Sequence, residues 1–215
     1  MLNFDPKRAV LLFVPLILSL AVHEFAHAWS AYKLGDDTAA RAGRLTLNPF
    51  AHADLIGTII FPLLGVPFGW AKPVPVDPTR FRHDVNMRTG MAITASAGPI
   101  SNVVLAVLVT TVFALLARFA PEFLETDNGI RQLLVTAIYL NVNLAIFNLI
   151  PVPPLDGSRI VDGFLPHRFR PQWERLMAFS PFLLVAVFIF AGRIISGPSN
   201  FVLGLLSQLA YAIGA

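Results

Sequence analysis

His23-Glu24-Phe25-Ala26-His27 has the pattern H-E-x-x-H. On a helix, residues four apart lie on one face, so the two imidazoles can share one metal ion. Glu24 then stands beside that ion, placed to act on a water bound to it. Catalytic zinc takes three protein ligands and keeps one position open, so a further donor is needed. The chain has no cysteine, which leaves His, Asp or Glu. The stretch Asn148-Leu-Ile-Pro-Val-Pro-Pro-Leu-Asp156-Gly157 offers Asp156 at the end of an apolar run. Plainer readings compete. The pentapeptide also occurs by chance, and its polar residues could sit at a membrane face or form a transporter's proton relay. Asp-Gly is, besides, a common turn pair.

The elements that would position these residues are membrane spans. Of the 215 residues, 55% are hydrophobic and 13% charged, about half the charged share of soluble domains. Mean hydropathy is +0.66. That excludes an ordinary soluble enzyme and a disordered chain. A spanning helix needs about 20 mostly apolar residues. Thr89–Ala117, Gln132–Leu155, Leu176–Gly192 and Ile194–Ala215 carry no charge, and Gly197-Pro198 delays the last helix to about Ser199. The first run, Ala9 to about Tyr32, is apolar up to Val22 and then meets the H-E-x-x-H pattern. The expectation is a polytopic α-helical membrane protein, one domain over residues 1–215. Its five spans fall at 9–32, 89–117, 132–155, 176–193 and 199–214. A cleaved signal peptide is not expected, since residues 21–30 offer no small-residue site free of charge. Ionisable groups inside a span cost a few kcal/mol each, so three in five residues call for a function.

Residues 33–88 differ. Pro49, Gly57, Pro62, Gly65, Pro67, Gly69, Pro73, Pro75 and Pro78 break any regular helix, yet Leu55–Ala71 carries no charge. This predicts a membrane-embedded β and re-entrant region over 41–80, buried by protein or lining a cavity. The competing reading is a sixth, kinked helix over 54–70. Arg41–Leu47 and 71–77 are the strand candidates. The first has no proline, so its free edge is expected beside the metal as a docking template for an extended peptide.

Charge predicts orientation. Lys33, Arg41 and Arg44, then Lys72, Arg80, Arg82 and Arg88, then Arg159, Arg168, Arg170 and Arg175 fall in three loops. Loop 118–131 has Arg118 and Arg131 against Glu122, Glu125 and Asp127. If 54–70 is re-entrant, the basic loops share one face, which is cytoplasmic by the positive-inside rule. The N-terminus is then outside and the C-terminus and the mouth of the site are cytoplasmic, with Lys7 and Arg8 dissenting. The basic residues flank apolar runs rather than covering an amphipathic face. The sequence pI near 9.7 therefore suits anionic lipid headgroups and no nucleic-acid partner. Neither inverted half-repeats nor paired broken helices are visible, which weakens a transporter.

The two motifs together resemble the site-2 protease family of intramembrane zinc metalloproteases. Ala97-Gly-Pro-Ile-Ser-Asn102 resembles that family's A-G-P-x-S-N element. The stretch from Gly43 through Asn48-Pro49, Gly57-Thr58 and Phe61-Pro62 to Gly69-Trp-Ala-Lys-Pro-Val resembles the embedded β region of its compact bacterial members. The likeness covers about residues 8–165. It implies that His23, His27 and Asp156 bind one Zn²⁺, that Glu24 is the catalytic base, and that Asn148 belongs to the active site. It implies cleavage of a peptide bond in the transmembrane segment of a membrane-tethered regulator or a signal-peptide remnant. The loop between the spans at 89–117 and 132–155 has no room for a PDZ insertion, and no regulatory domain is seen after the last span. Control by such domains is therefore not carried over.

Other polar residues have simpler expected roles. His52 is either part of a second metal site or, more simply, an interfacial histidine. His83 is a loop residue and His167 a headgroup contact. Asn102, Asn141 and Asn143 make interhelical hydrogen bonds. Gly98-Pro99 permits a close helix approach or a kink. Trp29, Trp70 and Trp173 mark boundaries. Phe179, Phe182, Phe188 and Phe190 face lipid or pack.

Overall fold

The structure, a computed structural model, describes residues 6–54, 57, 60, 71–125 and 129–214. Its helices, in order, are α1 (Pro6–Leu34), α2 (Thr38–Arg41), α3 (Pro49–His52), α4 (Met87–Phe119), α5 (Gly129–Asn148), α6 (Asp156–Phe164), α7 (Arg170–Ala178) and α8 (Ser180–Gly214). Four of them (α1, α4, α5 and α8) are long and apolar enough to cross a membrane. The chain is a polytopic helical membrane protein.

Helix α4 is the hub, packing against α1, α5, α6 and α8. The Asn86 side chain accepts from the Arg88 and Thr89 amides and so caps two of the donors that a helix start leaves unpaired. The buried face of α4 carries mainly small residues: Gly90, Ala92, Ala95, Gly98, Ala106 and Ala114. Small side chains let backbones come close, which is how helices associate where lipid is as apolar as leucine. Large apolar side chains point outward along α4 and α8, including Ile100, Leu108, Phe182, Ile189 and Phe201. The phenylalanines read from the sequence in this region are accordingly exposed, as lipid-facing residues are.

One expected span is not separate. The sequence predicts two spans, 176–193 and 199–214, divided at Gly197-Pro198. Helix α8 instead runs through 35 residues with Pro198 inside it. A helix of that length extends about 52 Å. Proline deprives a helix of one N–H bond, and neighbouring groups in a membrane helix compensate for that loss. Arg193, inside this helix and exposed, can carry its charge outward on an apolar stem.

The merged helix also moves the C-terminal end. Helices α1 and α4 are antiparallel: His27 meets Thr94, and Ser19 meets Asn102. The start of α1 and the end of α4 thus share one side. The Arg118 guanidinium at the end of α4 donates to the Ile213 carbonyl at 3.1 Å. The two described chain ends therefore lie on the same side. An N-terminus outside with a cytoplasmic C-terminus does not fit this arrangement.

Between α1 and α4 the chain leaves and returns at one place. The Arg82 amide donates to the Leu34 carbonyl at 2.8 Å. Leu34 and Arg82 thus lie together and the basic loops share one end, while the sixth-helix reading over 54–70 falls mostly outside the described residues. Most of 54–70, including the expected re-entrant apolar stretch, lies outside the described residues. The expected strand over Arg41–Leu47 is absent. Residue 41 ends α2, and 42–48 form turns and bends with no ladder. Among the described residues the only β pairing is an antiparallel bridge between Ala53 and Ala71. Weak alternation over seven residues was outweighed by local turn bonding, such as Arg44 N to Ala39 O at 2.8 Å.

Candidate metal centre

Helix α1 carries His23 and His27 one turn apart, facing α4. They can approach because residue 98 of α4 is glycine. A Cβ there would come within 2.5–2.6 Å of both imidazoles. The third residue, Asp156, arrives from the turn after α5. That turn, 149–155, closes with bonds such as Val152 N to Ile150 O at 2.8 Å and leads into α6, which begins at Asp156. Gly157 lets α6 start against α5, since a side chain there would collide with the Leu149 carbonyl.

The three side chains converge. His23 Nε2 and His27 Nε2 are 3.0 Å apart, and Asp156 Oδ2 is 3.2 Å from the first and 3.3 Å from the second. All three residues are at the border of full burial. They are the group of His, Asp and Glu side chains in the described residues spaced to hold a metal ion.

The other ring nitrogens fix the tautomers. His27 Nδ1 faces the Thr94 carbonyl at 2.7 Å, so it is the donor. His23 Nδ1 faces Asn102 Oδ1 at 2.6 Å. The Asn102 amide is oriented in turn: its Nδ2 donates to Asn141 Oδ1 at 2.8 Å, and Asn141 Nδ2 donates to Ser19 Oγ at 2.8 Å. Both asparagines are fully buried. With protons on both Nδ1 atoms, the Nε2 lone pairs turn toward each other and toward a carboxylate. Such a cluster attracts a cation. The donor set fits zinc. Tetrahedral ligand atoms about 2.0–2.2 Å from zinc sit about 3.3–3.6 Å from one another, slightly wider than the 3.0–3.3 Å observed.

Glu24 is half-buried beside the cluster, and its Oε2 accepts from the Val74 amide at 3.0 Å. Asn148, the last residue of α5, donates from Nδ2 to its own helix at Leu144 O, 3.0 Å away. That bond leaves Oδ1 of Asn148 uncommitted by it. His52 is buried; its Nε2 donates to Thr46 O at 2.8 Å, and it joins no metal-spaced group among the described residues. Asn143 makes an expected interhelical bond, accepting from Ser199 Oγ at 2.8 Å.

Reading the sequence alone missed the partners of the ligands. The sequence marks Asn102 and Asn141 only as interhelical amides, and nothing in it points to Thr94 or Val74 as partners. Ser19, four residues before His23 in an otherwise apolar run, was a usable signal. Thr94 and Val74 act through backbone atoms, which side-chain identity does not reveal.

Fold and site together define a membrane-embedded helical protein with a His-His-Asp group suited to a metal. The model of peptidase family M50 matches residues 125–190. "Putative zinc metalloprotease YwhC" of Bacillus subtilis (strain 168) is 38% identical over 179 residues, 83% of this chain and 80% of that protein. "Putative zinc metalloprotease Rip2" of Mycolicibacterium smegmatis is 30% identical over 183 residues, 84% of this chain and 66% of that protein. The protein of the same name in Mycobacterium tuberculosis (strain ATCC 25618 / H37Rv) is 31% identical over 170 residues, 79% of this chain and 61% of that protein. No solved structure matches. The chain belongs to peptidase family M50 and is a membrane metalloprotease, in line with its resemblance to site-2 proteases.

Proposed function

We propose that this chain is an intramembrane zinc protease that hydrolyses a peptide bond in or near the transmembrane segment of a membrane-anchored protein. The observation that carries the reading is the convergence of three ligand atoms within 3.3 Å, beside Glu24. The zinc-metalloprotease names of the relatives support it. His23, His27 and Asp156 would hold the ion. When bound, zinc polarises the scissile carbonyl and acidifies water. Glu24 takes the proton of the attacking water and passes it to the leaving amide nitrogen. Asn148, through its amide, holds the substrate backbone or the developing oxyanion. Asn102 and Thr94 keep the imidazoles in the tautomer that presents Nε2 to the ion.

The site's depth supports cleavage within the membrane. His23 and His27 lie about 10–16 Å along α1 from its end at Leu34, within the hydrocarbon thickness of a bilayer. A helical substrate hides its amides and must unwind locally to reach Glu24. The basic loops at the site's end of the bundle support a cytoplasmic mouth in the inner membrane. The whole chain would then form one protease domain.

Glu24→Gln is the direct test, with zinc content and cleavage of a membrane-tethered substrate measured together. We expect zinc at the wild-type level and cleavage reduced by about 100-fold or more, because an amide cannot accept the proton. Full activity in this variant would remove Glu24 from its role.

A further inference from the structure

Glu24 does not stand free. As base it needs one carboxylate oxygen turned to the attacking water, and the Val74 N–H engages the other, Oε2, at 3.0 Å. The sequence around Val74 singles out this donor. In Lys72-Pro73-Val74-Pro75 both prolines lack an N–H. The remaining two amides alternate, as they must to face one side of an extended segment. The Lys72 amide is taken by the His52 carbonyl at 2.8 Å, and the Val74 amide by Glu24. Pro73 and Pro75 are exposed, with no donor to offer a competing partner.

The segment is held from behind. Arg44, buried, donates from its guanidinium to the Ala51 carbonyl and, at 3.5 Å, to the Lys72 carbonyl. His52, also buried, donates from Nε2 to the Thr46 carbonyl at 2.8 Å, which closes the turn that presents its own carbonyl to Lys72. The Arg44 guanidinium and His52 Nε2 thus bond to the turn that docks residues 71–74, while the buried Nδ1 of His52 has no partner among the described residues. Burying such groups is costly unless they are bonded, so their placement favours a fixed segment over a loose one.

We propose that the Val74 amide is a positioning donor that holds the Glu24 carboxylate with one oxygen engaged and the other free for water, and that Arg44 and His52 fix the amide in place. The inference rests on Glu24 being the base. It also puts Val74 of the 71–77 segment, rather than the expected Arg41–Leu47 edge, in contact with Glu24.

The test exchanges one atom. Valine at position 74 of the full chain is replaced by its α-hydroxy analogue, converting the N–H into an ester oxygen while keeping the side chain. Zinc content and the kinetics of a membrane-tethered substrate are measured in proteoliposomes. A bond to a charged acceptor is worth about 1.5–3 kcal/mol, so kcat should fall about 10- to 100-fold. KM should stay within about twofold and zinc at the wild-type level, because the lost contact acts on the transition state. A readout independent of activity is hydrogen exchange at the Val74 amide. It should be about tenfold or more faster in Glu24→Ala than in wild type, and stay slow in Glu24→Gln, whose side-chain oxygen still accepts.

An ester variant as fast as wild type, or faster, overturns the proposal, and so does Val74 exchange that Glu24→Ala leaves unchanged. The two readings separate cleanly. Full cleavage by Glu24→Gln sinks the base assignment whatever the ester does. An inactive Glu24→Gln beside a fully active ester sinks only the role of Val74.

Discussion

His23 and His27 each have two ring nitrogens, and the structure gives the two different tasks. The Nδ1 atoms bond to Asn102 and Thr94 at 2.6 and 2.7 Å; the Nε2 atoms meet Asp156. Backbone carbonyls tolerate no substitution by mutagenesis, but Asn102 can be removed. Asn102→Ala should weaken zinc affinity by about 10- to 100-fold, the usual effect of losing a partner behind a metal-bound histidine. Chelator competition measures it, and an unchanged affinity would show that the ring needs no such anchor. The ligands and Glu24 were legible because H-E-x-x-H and P-P-L-D-G place chemistry in side-chain identity. Asn102 was visible as a buried amide but not as a partner of His23, since 79 residues separate them and only packing of α1 on α4 joins them.

At the scale of elements, apolar runs predicted α1, α4 and α5 well, because length and absence of charge are what a bilayer demands of a helix. The Gly197-Pro198 pair misled, since a helix-breaking signal in water is a weaker one in lipid. The strands failed for another reason. Turn bonds and side-chain-to-backbone bonds between 39 and 53 leave no periodic signature in sequence. The topology that follows is testable on this chain without prior engineering, because it has no native cysteine. Single cysteines at Glu122 and Tyr211 should react with an impermeant maleimide from one side of the membrane, and those at Asp84 and His167 from the other. Tyr211 labelled from the same side as Asp84 would restore two separate final spans and overturn the continuous α8.

For the whole molecule, the basic loops, the His-His-Asp cluster and the Pro-rich segment at 71–77 gather toward one end of a bundle whose outer surface is apolar. Composition foretold the membrane, and charge foretold that the loops share an end. The segment beside Glu24 was not foretold, because its contribution is a backbone N–H. Everything proposed for this end depends on a metal held by three residues from α1 and α6. The most direct measurement is X-ray absorption at the zinc edge, with elemental analysis, on purified wild-type protein and on Asp156→Ala. We predict one zinc per wild-type chain, with nitrogen and oxygen ligands at about 2.0–2.2 Å, and loss of most of that zinc in the variant. Folded wild-type protein with almost no zinc, or zinc indifferent to Asp156→Ala, would contradict the account.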